Sequence, residues 1–144
     1  TFGSLVTTII LFYLFHSLNL SPNVILIGLI LIFIYSFYAV SSHIKDSKNK
    51  DPGEIVIDEL LGQSIPIYLY EISHNTTKES GEAIIYYILF FLLFRYFDIV
   101  KPFPVNFFDK NFKNSFGVIM DDICAGLYVV LTLVCFMVVK SYVI

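Results

Sequence analysis

The stretch TFGSLVTTIILFYLFHSLNLSPNVILIGLILIFIYSFYAVSSHI, from Thr1 to Ile44, contains no Asp, Glu, Lys or Arg. That is chain enough for two membrane spans of about 20 residues each, and Asn19-Leu20-Ser21-Pro22-Asn23 supplies a tight turn between them. A cleaved signal peptide does not fit the stretch, because no basic region precedes it and it runs well past about 15 apolar residues. The absence of an initiator Met leads us to expect that residues precede Thr1. The whole chain has the same character: 144 residues, 57% hydrophobic, 17% aromatic and 15% charged, with a mean hydropathy of +0.78. Such a composition excludes an ordinary soluble core and describes a polytopic membrane domain.

Beyond Ile44 the apolar runs shorten. Leu60 to Tyr70 is 11 uncharged residues and Ala83 to Phe94 is 12; at 1.5 Å per residue neither crosses a hydrocarbon core of about 30 Å unaided. Each helix must therefore include its polar flank. A third helix from about Pro52 to Ile72 takes in Asp58 and Glu59, and a fourth from about Ser80 to Phe97 takes in Arg95. A fifth, from about Asp121 to Lys140, carries 17 uncharged residues between an acidic start and a basic end. The expected fold is all-α: one domain over residues 1–144, a polytopic helical bundle of about five transmembrane helices.

Basic residues give the orientation. Lys45, Lys48 and Lys50 lie between spans two and three, and Arg95, Lys101, Lys110 and Lys113 between spans four and five. By the positive-inside tendency this side is cytoplasmic. Three acidic segments then meet at that face: Asp51 to Glu59, Phe94 to Pro102, and Asp121 to Gly126. Ionisable groups attached to lipid-grade helices cost roughly 2.5 to 3.5 kcal/mol each at a helix centre, so a chain that keeps so many is expected to use them.

Asp58, Glu59, Asp98, Asp121 and Asp122 are hard oxygen donors of the kind that hold Mg²⁺ while it retains waters and phosphate oxygens. Arg95 and Lys101 suit the phosphate itself, one as a planar fork and the other as a point charge. Together they point to phosphoryl chemistry, in which a metal polarises the phosphoryl oxygen and a carboxylate orients or deprotonates the nucleophile. Structural roles compete with this reading. Asp51-Pro52-Gly53-Glu54 also fits an N-cap, a first-turn Pro and a Glu at the third position. Asp58 and Glu59 lie too deep in their helix to cap it and have an ion pair as their alternative. One of Asp121 and Asp122 can serve as a helix start, and Arg95 can simply pair with Asp98 at i, i+3.

His16 and His43 lack neighbours at zinc-ligand spacing. Cys124 and Cys135, about 16 Å apart along one helix, cannot bridge within it and read as packing residues. Asn75-Thr76-Thr77 matches a glycosylation sequon that often arises by chance. Gly126, four residues after Asp122, is expected to permit close helix contact.

Asp51-Pro-Gly-Glu-Ile-Val-Ile-Asp58-Glu59 with Gly62, then Phe94-Arg95-Tyr-Phe-Asp98-Ile-Val-Lys101-Pro102-Phe-Pro104, then Gly117-Val-Ile-Met-Asp121-Asp122-Ile-Cys-Ala125-Gly126, closely resemble the signature blocks of the phosphatidylglycerophosphatase A family, in order, across nearly the whole chain. Thr1-Phe2-Gly3-Ser4-Leu5 also resembles the end of that family's N-terminal Pro-Gly-Thr-x-Gly-Ser-Leu block, so part of that block is expected to lie outside this sequence.

The resemblance implies a Mg²⁺-dependent phosphatase of the bacterial inner membrane, with its active site facing the cytoplasm, that converts phosphatidylglycerophosphate to phosphatidylglycerol. On our reading of the site, metal binding and water activation are expected of Asp58, Glu59, Asp121 and Asp122, phosphate binding of Arg95 and Lys101, and of Asp98 either support of Arg95 or acid–base work. Asp51, Glu54 and Ser4 are possible additions. Direct attack by water is expected over a phosphoenzyme, because no Cys in these segments is placed as a nucleophile. The expected partners are the lipid substrate and membrane lipids, with no nucleic acid; the oligomeric state stays open. A transporter or channel with a carboxylate-lined cation site is the alternative, but such a site belongs near the bilayer midplane. A phosphatidyltransferase is disfavoured, since its Asp-x-x-Asp-Gly-x-x-Ala-Arg pattern is missing.

Overall fold

The computed structural model describes residues 2–46, 56–73, 80–112 and 114–143. Asp51 and Glu54 lie outside these residues. Among the described residues all regular structure is helical: α1 (Phe2–Phe12) running into one π-helical turn (Tyr13–Ser17), α2 (Pro22–Asp46), α3 (Ile57–Ser73), α4 (Ser80–Val100), α5 (Val105–Asn111) and α6 (Ser115–Val143).

Among the described residues three helices are long and apolar enough to cross a membrane: Pro22–Ser42, Gly81–Val100 and Ser115–Val139. The apolar stretch Phe2–Ser17 is shorter, and α3 has 17 residues. The long helices turn their apolar side chains outward, with Ile34 63%, Ile85 68% and Phe136 68% exposed. So much exposed apolar surface suits a lipid solvent rather than water. Hydroxyls within helices bond to the preceding turn, as Thr7 does to the Gly3 carbonyl (2.8 Å) and Ser64 to that of Leu61 (2.7 Å), leaving few polar atoms to satisfy elsewhere.

α3 is the centre of the bundle. Asp58, Leu61, Gly62, Gln63, Ser64, Pro66, Ile67 and Tyr70 are all buried, so nearly every face of the helix is covered. Its neighbours can be set in register from named contacts. The Ser4 N–H reaches Glu59 and His16 reaches Glu71, so α1 and α3 run parallel with one constant offset of 55 residues. Arg95 reaches Glu59 and Tyr87 reaches Glu71, so α4 runs antiparallel to both. α6 lies along α3, with Gly126 against Gly62. Ser41 of α2 bonds Ser115 of α6 at 2.9 Å. The N-terminal ends of α1, α3 and α6 and the C-terminal end of α4 therefore meet at one end of the bundle, above a core of Leu11, Ile67, Phe90, Phe94, Ala125 and Val129.

Three features differ from the sequence expectation. α3 starts at Ile57 rather than about Pro52, so Asp58 and Glu59 stand in its first turn and not two turns into the helix. α6 starts at Ser115 rather than about 121, because the Asn114 side chain caps it by accepting the Gly117 N–H at 3.1 Å. Asp121 and Asp122 are consequently interior residues and not a helix start. The segment between α4 and α6, with Pro102 and Pro104, reads as loop but folds the short α5 onto α6, where Phe107, Phe108, Phe112 and Phe116 stack edge to face or tilted.

Candidate active site

Close packing of α3 on α6 brings the acids together. A Cβ at Gly126 would collide with the Gly62 carbonyl oxygen, and one at Gly62 would collide with the Asp122 backbone and the Phe94 ring. Pro66, four residues after Gly62, has no N–H to offer that carbonyl. The carbonyl is thus left to face the second helix, a close approach of the kind small residues allow in membranes. One turn before each glycine sit Asp58 and Asp122. They are 6% and 4% exposed, and Asp122 lies within electrostatic reach of Asp58, Asp121, Asp98 and Glu59.

Each remaining group has a defined partner. The Asp58 carboxylate accepts the Glu59 N–H at 2.7 Å, and the first turn of α3 favours both acids through its unpaired N–H groups. Glu59 accepts the Ser4 N–H at 3.0 Å with one oxygen and Arg95 at 3.2 Å with the other. The same Arg95 nitrogen holds Asp98 at 2.7 Å. The ion pair expected as an alternative for Arg95 therefore exists, but the guanidinium also joins α4 to α3. Ser4, fully buried, belongs to the site through its backbone N–H. Lys101 lies just past α4 and contacts Asp121 at 3.1 Å and Asp109 at 2.7 Å. Burial opposes its charge, but hydrogen bonds and charge from Asp109 and Asp121 outweigh burial and hold its pKa above the ordinary lysine value.

Asp58, Glu59, Arg95, Asp98, Lys101, Asp121 and Asp122 thus converge at one end of the bundle. Asp109 was missed, because a short loop-like run gave no reason to bring it back onto Lys101. The pairing of His16 with Glu71 at the opposite end was also missed, since it depends on the register of α1 against α3.

Among the described residues no three carboxylate, imidazole or thiolate groups form a ready-made metal centre. The donor chemistry nevertheless fits a hard cation. No described basic side chain pairs with Asp58 or Asp122, and two adjacent buried carboxylates without a cation are costly. Mg²⁺ needs only one or two carboxylates, because waters and substrate oxygens complete its shell.

An all-helical bundle of membrane-length apolar helices, with carboxylates, a guanidinium and an ammonium gathered at one end, defines a class: helical membrane-type proteins with a charged site suited to an anionic group. A family profile described as Phosphatidylglycerophosphatase A matches residues 1–137. The chain belongs to the phosphatidylglycerophosphatase A family and is accordingly a phosphatase. It is 34% identical over 131 residues to Phosphatidylglycerophosphatase A of Haemophilus influenzae, covering 91% of this chain and 74% of the relative. It is 32% identical over 83 residues to Phosphatidylglycerophosphatase A of Escherichia coli K12, covering 58% and 43%. A Bacteroides thetaiotaomicron protein with the provisional name phosphatidylinositol-3-phosphatase is 34% identical over 101 residues, covering 70% and 58%. No solved structure matches the chain.

Proposed function

We propose that the protein is a Mg²⁺-dependent phosphatase that hydrolyses the terminal phosphate of phosphatidylglycerophosphate to phosphatidylglycerol and inorganic phosphate. The observation that carries this reading is the pair Asp58 and Asp122, buried with no basic partner among the described residues, in the same charged end as Arg95 and Lys101. Both kinds of name borne by the relatives describe phosphate removal from a lipid headgroup, and the length of the match to the first favours phosphatidylglycerophosphate. The three long apolar helices, α2, α4 and α6, together with the shorter α1 with its π-helical turn and α3, are proposed to cross the bacterial inner membrane, with the charged end at the cytoplasmic face. The acyl chains then stay in the bilayer while the phosphate reaches the charged end.

Asp58 and Asp122, supported by Glu59 and Asp121, would hold Mg²⁺. When bound it supplies charge neutralisation and polarises a phosphoryl oxygen. Arg95, fixed between Glu59 and Asp98, would offer its positive charge to the negative charge that develops on the phosphoryl oxygens. Lys101, held by Asp121, adds a second positive charge. Water attacks phosphorus, the bond to the glycerol oxygen breaks, a carboxylate takes the water's proton, and a proton is delivered to the leaving oxygen. Asp98, half-buried on Arg95, would either hold that guanidinium or exchange the proton. The test is phosphate release from phosphatidylglycerophosphate by the purified protein in detergent, with Mg²⁺, with EDTA, and with Asp58→Asn. Release dependent on Mg²⁺ and on Asp58 is the expected result; release that persists in EDTA would remove the metal from the reaction.

A further inference from the structure

Lys101 occupies an unusual backbone position. Its φ is +47°, the left-handed region in which L-residues other than Asn and Asp are uncommon, and its N–H still closes the last turn of α4 on the Phe97 carbonyl at 2.9 Å. Glycine is the usual residue at such a helix end. A lysine there is fixed by its side chain, which lies between two carboxylates from different elements. The two carboxylates are not equivalent. Asp121 comes from the interior of α6 and its side chain is 12% exposed, whereas Asp109 comes from the surface of α5 and its side chain is 40% exposed. The more exposed partner makes the shorter contact, 2.7 Å against 3.1 Å.

We propose that Asp109 holds, in the substrate-free protein, the position on Lys101 that a phosphoryl oxygen takes during the reaction, so that Asp109 and phosphate bind this ammonium in alternation. The inference rests on the reading of Lys101 as a phosphate-binding residue. Chemistry and placement agree. A carboxylate oxygen and a phosphate oxygen are equivalent acceptors for an ammonium. An ion pair open to solvent is weak enough to yield to a dianion that is also drawn by Arg95. Asp109 can leave without moving its helix: Val105 is buried, the Tyr128 hydroxyl bonds the Phe103 carbonyl, and the phenylalanine cluster fastens α5 to α6. Asp121 stays on Lys101 in both states and keeps the ammonium beside the carboxylates. Asp109 thus sets how tightly phosphate is held, and by returning to Lys101 it favours release of the product.

The sign of one measurement decides the matter. Inorganic phosphate is tested as a competitive inhibitor of phosphatidylglycerophosphate hydrolysis in detergent with Mg²⁺, for the wild type, Asp109→Asn and Asp109→Ser. If Asp109 competes with phosphate, both variants lower the inhibition constant, by about two- to tenfold, Asp109→Glu returns it toward the wild-type value, and Asp109→Asn has no such effect in a Lys101→Ala background. If Asp109 merely supports Lys101, the same variants leave the constant unchanged or raise it, and the proposal is overturned. A wild type that hydrolyses the lipid but whose variants fail to tighten phosphate refutes this inference alone. A folded wild type that neither hydrolyses the lipid nor responds to phosphate overturns the phosphatase reading and the inference with it.

Discussion

Gly126 lies against the carbonyl oxygen of Gly62, too close for a side chain at either position. This contact fixes the spacing of α3 and α6, and with it the separation of Asp58 and Asp122 one turn away.

Gly62→Ala and Gly126→Ala are each expected to destabilise the protein by about 1–3 kcal/mol through overpacking and to lower turnover by displacing the two acids. Gly28→Ala supplies the contrast, since a Cβ there meets nothing within 4 Å; it should be neutral or slightly stabilising. Thermal unfolding in detergent and phosphate release would be measured on the same preparations. Equal effects at all three positions would show that the close contact does not matter.

Removing one member of a buried carboxylate pair should separate stability from function. Asp58→Asn and Asp122→Asn are expected to reduce kcat by about 100-fold or more. In Mg²⁺-free buffer both variants should unfold at the wild-type temperature or above it, because the like-charge contact is relieved. Mg²⁺ should raise the unfolding temperature of the wild type by mass action and that of the variants much less. A normal Mg²⁺-induced shift in both variants would remove these two residues from the metal site.

Arg95→Lys keeps the charge but not the shape. One ammonium on a lysine stem is not equivalent to the guanidinium that joins Glu59 on α3 to Asp98 on α4. The expected loss in kcat/KM is on the order of 100-fold, with a smaller loss in thermal stability. Wild-type activity in this variant would show that only net charge is needed.

Lys101 sets a limit on pH dependence. Its folded-state pKa is raised above 10.5, so its stabilising charge is fully present below that value and is lost only as pH rises through the raised one. Lys101→Ala should therefore reduce kcat/KM by the same factor at about pH 6.5 and about pH 9. A penalty that disappears toward pH 9 would mean that the ammonium titrates in the working range.

At the other end of the bundle, Glu71 accepts the Tyr87 hydroxyl at 2.9 Å and lies 3.1 Å from His16. Glu71→Leu takes the acceptor from the buried Tyr87 and the partner from the half-buried His16 and is expected to cost about 1–3 kcal/mol. KM should be unchanged, because this cluster is remote from the charged end. A changed KM with unchanged stability would place Glu71 in the reaction instead.

Much of the site could be read from charge placement. Counting lysines and arginines put the acidic segments at one end before any contact was known, and the spacing of Asp122 and Gly126 anticipated a close helix crossing. What could not be read depended on three-dimensional register. Asp121 and Asp122 resembled a helix start because acids favour that position, whereas Asn114, a better cap, lies seven residues earlier. Arg95 and Asp98 were recognisable as an i, i+3 pair, but nothing local showed that the same guanidinium reaches Glu59. Asp109 and Glu71 find their partners only because α5 folds back and α1 aligns with α3.

The constant offset between α1 and α3 also bears on how the protein is made. Ser4 and His16 each find their acceptor 55 residues further along the chain. The polar contacts at both ends of the α1 segment therefore cannot form until α3 has been synthesised, so an early helix depends for its completion on one made much later.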